Sequence, residues 1–195
     1  MDTELIADLV DGPLLWFLNR SSGIVLLVLL TISTLLGVLS THGRARQTVP
    51  TFVSQALHRN ISLLSVLFLL AHATTSVVDT YVDIRWWQAI VPFGGTYQPL
   101  WLGLGALASD FIAVVVLTSL VRTRLSHRLW RVVHLASYAA FVIGAVHGLG
   151  IGTDMTNFGW AVQLNLACMA IVALAASWRL VRALRGRRQH LPSTA

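Results

Sequence analysis

Five apolar segments, each about as long as a membrane span, dominate the sequence. About 20 helical residues cross the roughly 30 Å hydrocarbon core of a bilayer. Backbone groups in lipid have to bond within their own segment, so such stretches fold as helices. We therefore predict an all-α, polytopic transmembrane bundle of about five spanning helices. The segments cover residues 21–41, 57–79, 100–122, 129–150 and 159–180.

The composition argues against a soluble globular domain. Hydrophobic residues make up 55% of the chain and charged residues 11%, with a mean hydropathy of +0.71, whereas soluble domains carry about 25% charged residues. The 14 arginines outnumber the 8 acidic residues, but they cluster at the ends of apolar runs, as orientation signals do. We expect membrane lipid around the chain and no nucleic-acid partner. Cys168 is the only cysteine, so the chain forms neither an internal disulfide nor a thiolate metal site.

The distribution of charge predicts the orientation. Arginines concentrate in the loop 42–56, in the turn 122–131 and from Arg179 onward, whereas the N-terminus is acidic. By the positive-inside rule, the N-terminus lies outside the plasma membrane and the C-terminus in the cytoplasm. This divides the chain into an outer N-terminal segment, a transmembrane domain and a basic cytoplasmic tail, at 1–20, 21–180 and 181–195. The outer loop 80–99 is expected to hold a short interfacial helix.

Four of the seven histidines form a pattern. His58 and His72 lie fourteen residues apart on the second predicted helix, and His134 and His147 lie thirteen apart on the fourth. At 1.5 Å per residue, these separations are about 21 and 20 Å. The two helices run in the same direction, so one histidine of each lies near the cytoplasmic end and one near the outer end. We call His58 with His134 the inner pair, and His72 with His147 the outer pair.

Paired histidines at one depth are typical of axial haem ligation. Two imidazoles on neighbouring helices can supply both protein ligands of a haem iron, and ionisable residues inside a membrane are functional by default. The pattern predicts two b-type haems between the second and fourth helices, stacked along the membrane normal. The alternative is that each histidine is hydrogen-bonded to a neighbouring helix and binds no metal.

Helical geometry sets a condition on this prediction. At about 100° per residue, fourteen positions bring two side chains to within about 40° of each other, but thirteen leave them about 140° apart. We expect the fourth helix to bend, or its haems to approach from different sides. Gly144 and Gly148 flank His147 and would permit a bend or a close approach.

Two arginines at the cytoplasmic end are candidates for binding the haem carboxylates. Arg59 follows His58, and Arg131 precedes His134 by about one helical turn. Guanidinium groups pair bidentately with carboxylates, so both are predicted to contact haem propionates. Positive-inside signalling explains the two residues equally well.

The two histidine helices resemble the ferric reductase-like transmembrane domain. The segments that carry the resemblance are LHRNISLLSVLFLLAH and RLWRVVHLASYAAFVIGAVHG. That family includes the membrane cores of ferric reductases and NADPH oxidases, and the haem subunit of bacterial methionine sulfoxide reductase systems. The likeness covers roughly residues 20–180 and is greatest to small actinobacterial members. It implies that His58 with His134, and His72 with His147, each hold one haem b.

The resemblance implies a dihaem cytochrome that serves as the membrane component of an oxidoreductase. Electrons would pass from the inner to the outer pair, with the reverse direction left open. Larger members of that family have six spans and a nucleotide- and flavin-binding part, and neither a sixth span nor such a part is found here. We therefore expect a partner flavoprotein or membrane quinol as the electron donor, and an unidentified acceptor. One alternative is a quinol-linked b-type cytochrome anchor, with a quinone pocket formed by Asp110 or the outer loop. Another is a non-redox helical transporter or scaffold.

Overall fold

The regular secondary structure of the described part of the chain is entirely helical. A computed structural model describes residues 13–40, 50–151 and 159–188, and no strand occurs in these ranges. All five long helices are apolar enough to cross a membrane, with mean hydropathies between 1.6 and 2.5. The all-α fold with five candidate spans is therefore confirmed. The helices are α1 Pro13–Ser40, α2 Thr51–Val78, α3 Pro99–Leu120, α4 His127–Ile151 and α5 Trp160–Arg188.

The first and last helices are longer than their apolar segments. Helix α1 begins at Pro13 rather than at residue 21, and α5 continues to Arg188. Proline is favoured in a first helical turn, and leucine, arginine and alanine are good helix formers. Parts of the expected outer segment 1–20 and tail 181–195 are thus helical. Other predicted features lie outside the described residues: the acidic N-terminus, and Arg44 and Arg46 of the loop 42–56.

The helices pack as two antiparallel hairpins, α1 on α2 and α3 on α4, with α5 against α1 and α4. Asn19, near the start of α1, is bonded to Ser76 near the end of α2. Deeper along the same interface, the hydroxyls of Ser33 and Ser62 are 2.7 Å apart. Each histidine-bearing helix, α2 or α4, therefore lies beside one antiparallel neighbour, and α2 and α4 run in the same direction as predicted.

The outward faces of the bundle are apolar. Large hydrophobic side chains are exposed along every long helix, while alanine, serine and valine are common among the buried residues. An aqueous surface does not tolerate apolar exposure on this scale, whereas lipid does, and small residues let membrane helices pack closely. Examples of the exposed side chains are Ile32, Leu67, Leu117, Val142 and Leu174.

The loop between α2 and α3 folds against the bundle. It contains the predicted short helix, a 3₁₀ helix at Trp86–Ala89. The Ala89 carbonyl lies 3.5 Å from the Ser109 hydroxyl, in the third turn of α3. A Cβ on Gly103 would come within 2.6 Å of the Phe93 backbone nitrogen. The loop therefore packs alongside α3 rather than lying flat over its end. Non-helical backbone is tolerated at such depth where protein covers it.

Candidate functional site

The structure brings together both predicted histidine pairs. The ring centres of His58 and His134 are 6.1 Å apart, with the ring planes at 74°. Those of His72 and His147 are 6.3 Å apart, with the planes at 79°. Each pair joins α2 to α4. The two histidines of each pair therefore lie at the same level of the bundle, although the histidines are fourteen residues apart on α2 and thirteen apart on α4.

Helix α4 accommodates the thirteen-residue spacing without interruption. It is continuous from His127 to Ile151, and its two histidines contact different neighbours. The His147 ring is bonded to the Trp101 carbonyl of α3. The His134 ring stacks on Trp130, with ring centres 5.0 Å apart and planes at 25°. The thirteen-residue spacing is therefore accommodated in one continuous helix, with both histidines paired to α2.

Three of the four histidines use the Nδ1 atom in the same way. Each of these atoms lies within hydrogen-bond distance of a backbone carbonyl on the antiparallel neighbouring helix. A carbonyl oxygen only accepts, so Nδ1 carries the proton and Nε2 keeps its lone pair. Metal-binding histidines show this arrangement, in which the second ring nitrogen fixes the tautomer and the ring orientation. The bonds are His58 to Ser33 at 2.9 Å, His72 to Asn19 at 3.0 Å and His147 to Trp101 at 2.7 Å.

A glycine lies four residues after each of these carbonyls. In a helix, the carbonyl of residue i points toward residue i+4. A glycine at position i+4 has no side chain, so the carbonyl oxygen stays accessible to a group on the neighbouring helix. The imidazole edge packs directly on the glycine. An added Cβ would lie 3.1 Å from the His72 ring at Gly23, 3.4 Å from the His58 ring at Gly37 and 2.7 Å from the His147 ring at Gly105. We call each carbonyl with its glycine a carbonyl–glycine cradle.

The Asn19 side chain fastens α1 to α2 at the level of the outer pair. Its amide nitrogen donates to the His72 carbonyl at 2.9 Å and to the Thr75 hydroxyl at 3.2 Å, and also contacts the Ser76 hydroxyl. Interhelical hydrogen bonds in membranes contribute about 0.6 kcal/mol on average, and up to about 1.7 kcal/mol. Asn19 therefore makes two contacts with His72. The Asn19 carbonyl accepts from the His72 ring, and the Asn19 side-chain amide donates to the His72 carbonyl.

Both rings of the outer pair line a cavity of about 320 Å³. This volume lies in the range of small-molecule and cofactor sites, about 300–1,000 Å³. The cavity extends from the histidines to Gln88 and Tyr97 of the folded loop, whereas Asp110 does not line it. Small residues of α3 and α4 form much of the wall: Gly105, Ala106, Ala108, Ala140, Gly144 and Ala145.

The donor set fits a haem iron. An imidazole nitrogen lies about 2.0–2.1 Å from a bound metal and about 1.1 Å from its own ring centre, so two imidazoles on opposite sides of one metal have centres about 6.2 Å apart. Both pairs match this spacing. No group of three or more His, Cys, Asp or Glu side chains converges within the described ranges. Each pair thus offers two ligands, which is what a porphyrin iron takes from the protein.

The arginines at the inner end differ in their burial. Arg59 and Arg131 are exposed, and their pairing with haem propionates stays a prediction. Arg179 was not among the predicted site residues. It is half-buried, and its Nη1 donates to the Tyr138 hydroxyl at 3.0 Å. Tyr138 lies one turn beyond His134 on α4. Only the fold shows this contact, because the two residues are distant in sequence and lie on different helices.

The comparison with protein families gives one match. The family described as Domain of unknown function (DUF8596) matches residues 14–154. This range is more than half of the chain and includes both histidine pairs and all three carbonyl–glycine cradles. No curated protein matches the chain, and no solved structure matches it.

Proposed function

The chain belongs to the DUF8596 family, and we propose that it is a dihaem b-type cytochrome that moves electrons across a membrane. In this proposal it is the membrane component of a ferric reductase-like oxidoreductase. The observation that carries the proposal is the geometry of the two pairs, whose ring centres are 6.1 and 6.3 Å apart. The inner pair would hold one haem b and the outer pair the other.

The surrounding residues have two tasks in this function. The three carbonyl–glycine cradles fix the ring orientation and keep a lone pair on Nε2. The largely apolar wall of the outer cavity would surround a haem at the outer pair. A bound haem iron supplies the redox chemistry, since it gains and loses single electrons. Histidines that only join helices would also make these Nδ1 bonds, but they would not need to meet in two pairs with ring centres 6.1 and 6.3 Å apart.

We place the chain in the plasma membrane, with the N-terminus outside and the C-terminus in the cytoplasm. Most described arginines lie at the end of the bundle that carries the inner pair, whereas Asp79 and Asp83 lie at the other end. Positively charged ends face the cytoplasm. Arg59 and Arg131 then lie where they could bind the carboxylates of the inner haem. Among the residues whose side chains the structure describes, the arginines of the inner end are Arg59, Arg122, Arg124, Arg128, Arg131, Arg179, Arg182 and Arg185.

The electron donor in this proposal is a separate flavoprotein or a membrane quinol. One observation favours the quinol-linked version, namely the extension of the outer cavity to Gln88 and Tyr97. Mixing the oxidised protein with a short-chain quinol or with a reduced flavoprotein, and timing haem reduction, distinguishes the two donors.

The absorption spectrum of the purified chain tests the proposed function. We expect a reduced-minus-oxidised spectrum of low-spin haem b, and about two haems per chain by the pyridine haemochrome assay. Both expectations follow from two pairs of imidazoles, each of which would supply two ligands to one haem iron. A colourless protein after expression with ample haem would contradict the proposal and favour a transporter or scaffold whose histidines join helices.

A further inference from the structure

The inner pair differs from the outer pair in its hydrogen bonds. Both rings of the outer pair donate Nδ1–H to a carbonyl, at 3.0 Å for His72 and 2.7 Å for His147. In the inner pair only His58 does so, at 2.9 Å. The Nδ1 atom of His134 is buried and has no hydrogen-bond partner. Its ring is held by stacking on Trp130 instead.

The two pairs also differ in the charges near them. The Arg179 guanidinium is bonded at 3.0 Å to the hydroxyl of Tyr138, which lies one helical turn from His134 on α4. No aspartate or glutamate of the described segments lies at this end of the bundle. The outer cavity is lined by one cation and one anion, Arg20 and Asp79. The field of the described side chains is therefore more positive at the inner pair.

Both differences act on a bound iron in the same direction. A hydrogen bond from Nδ1–H to a carbonyl makes the imidazole a stronger electron donor, which favours ferric iron. His134 lacks that bond, so the inner pair donates less strongly than the outer pair. A nearby positive charge favours the ferrous state, which carries one positive charge fewer than the ferric state. Arg179 supplies such a charge in a half-buried position, where screening by water is weak.

We propose that the inner pair holds the haem of higher midpoint potential and that Arg179 sets much of the difference. This inference rests on the proposed function. It means that the first electron taken up by the protein resides at the inner pair. Transfer of an electron from the outer haem to the inner haem is then favourable in free energy. Transfer in the opposite direction is unfavourable and depends on a downstream acceptor that removes the electron from the outer haem.

Redox potentiometry of the haem-loaded chain in detergent tests this order. His72→Ala and His58→Ala variants, which retain the inner and the outer site respectively, assign the two transitions. We expect the inner transition at the higher potential. In Arg179→Gln it should move to lower potential while the outer transition stays in place. Arg179→Lys keeps the charge and should restore most of the original value.

Arg182→Gln is the matched control. Arg182 lies about one turn further along α5, is exposed and stacks on Trp178 at 4.4 Å, so its loss removes the same charge without touching Tyr138. We expect both transitions to stay in place. The inference is overturned if the inner transition lies at or below the outer one, or if Arg179→Gln shifts neither or shifts both equally. Absence of haem from the unchanged chain would instead overturn the proposed function itself.

Discussion

A His72→Ala variant is expected to bind one haem per chain where the unchanged protein binds two. The substitution removes one of the two imidazoles at the outer level and leaves the alanine side chain too short to replace it. The inner pair lies fourteen residues away along α2, or about 21 Å, so its ligands should be unaffected. The pyridine haemochrome assay, normalised to protein concentration, measures the loss directly.

His127→Ala is the control for this loss. His127 is exposed at the start of α4 and contacts Trp130, with ring centres 5.8 Å apart, but it belongs to neither pair. This variant should keep both haems. An unchanged haem content in His72→Ala would show that the outer pair does not hold a porphyrin, whatever happens at the inner pair.

Gly105→Ala is expected to reduce outer-haem occupancy several-fold without changing any ligand. The new Cβ would lie 2.7 Å from Cε1 and 2.8 Å from Nδ1 of His147, so the ring has to move. Its bond to the Trp101 carbonyl, at 2.7 Å, then lengthens or breaks. Alanine is a better helix former than glycine by about 1 kcal/mol, so weakening of α3 cannot cause the loss. Haem content and the spectrum of the remaining haem are the measurements.

Gly37→Ala supplies the matched comparison. It alters the same kind of cradle, but the added Cβ would meet the His58 ring at 3.4 Å, an ordinary contact distance. We expect it to retain both haems. No haem loss in Gly105→Ala would mean that its carbonyl–glycine cradle does not position His147. Equal loss in the two variants would mean that the closer approach at Gly105 is not the cause of the loss.

Much of the fold could be predicted from hydropathy, because lipid imposes a simple rule on sequence. Segments of about 20 apolar residues become helices, and alternating directions then place His58 beside His134 and His72 beside His147. The helix ends were less predictable. Hydropathy detects only the apolar part of a helix, and α1 and α5 extend beyond it in residues that favour helix on other grounds.

The cradles left a signal in the sequence that hydropathy does not detect. Asn19 and Ser33 are fourteen residues apart, as are Gly23 and Gly37, and this spacing equals that of the two histidines on α2. An antiparallel helix that repeats a carbonyl and a glycine at the spacing of its neighbour's histidines could have been recognised as their partner.

Other features of the site depend on tertiary contacts and could not be predicted. The thirteen-residue spacing on α4 allowed either a bend or two directions of approach. The partners that the two α4 histidines have, on α2 for both and on α3 for His147, follow from the packing of the helices. The packing of the outer loop against Gly103, and the approach of Arg179 to Tyr138, likewise require residues from different helices to meet. Sequence patterns within one helix do not encode contacts between different helices.

Electron transfer across a sealed vesicle tests the account most directly. The haem-loaded chain is placed in liposomes that contain ferricyanide, and dithionite is added outside. The account predicts that the trapped ferricyanide is reduced much faster than in vesicles without protein, and that His72→Ala abolishes most of this rate. Equal rates in empty vesicles and in vesicles with the two-haem protein would contradict it.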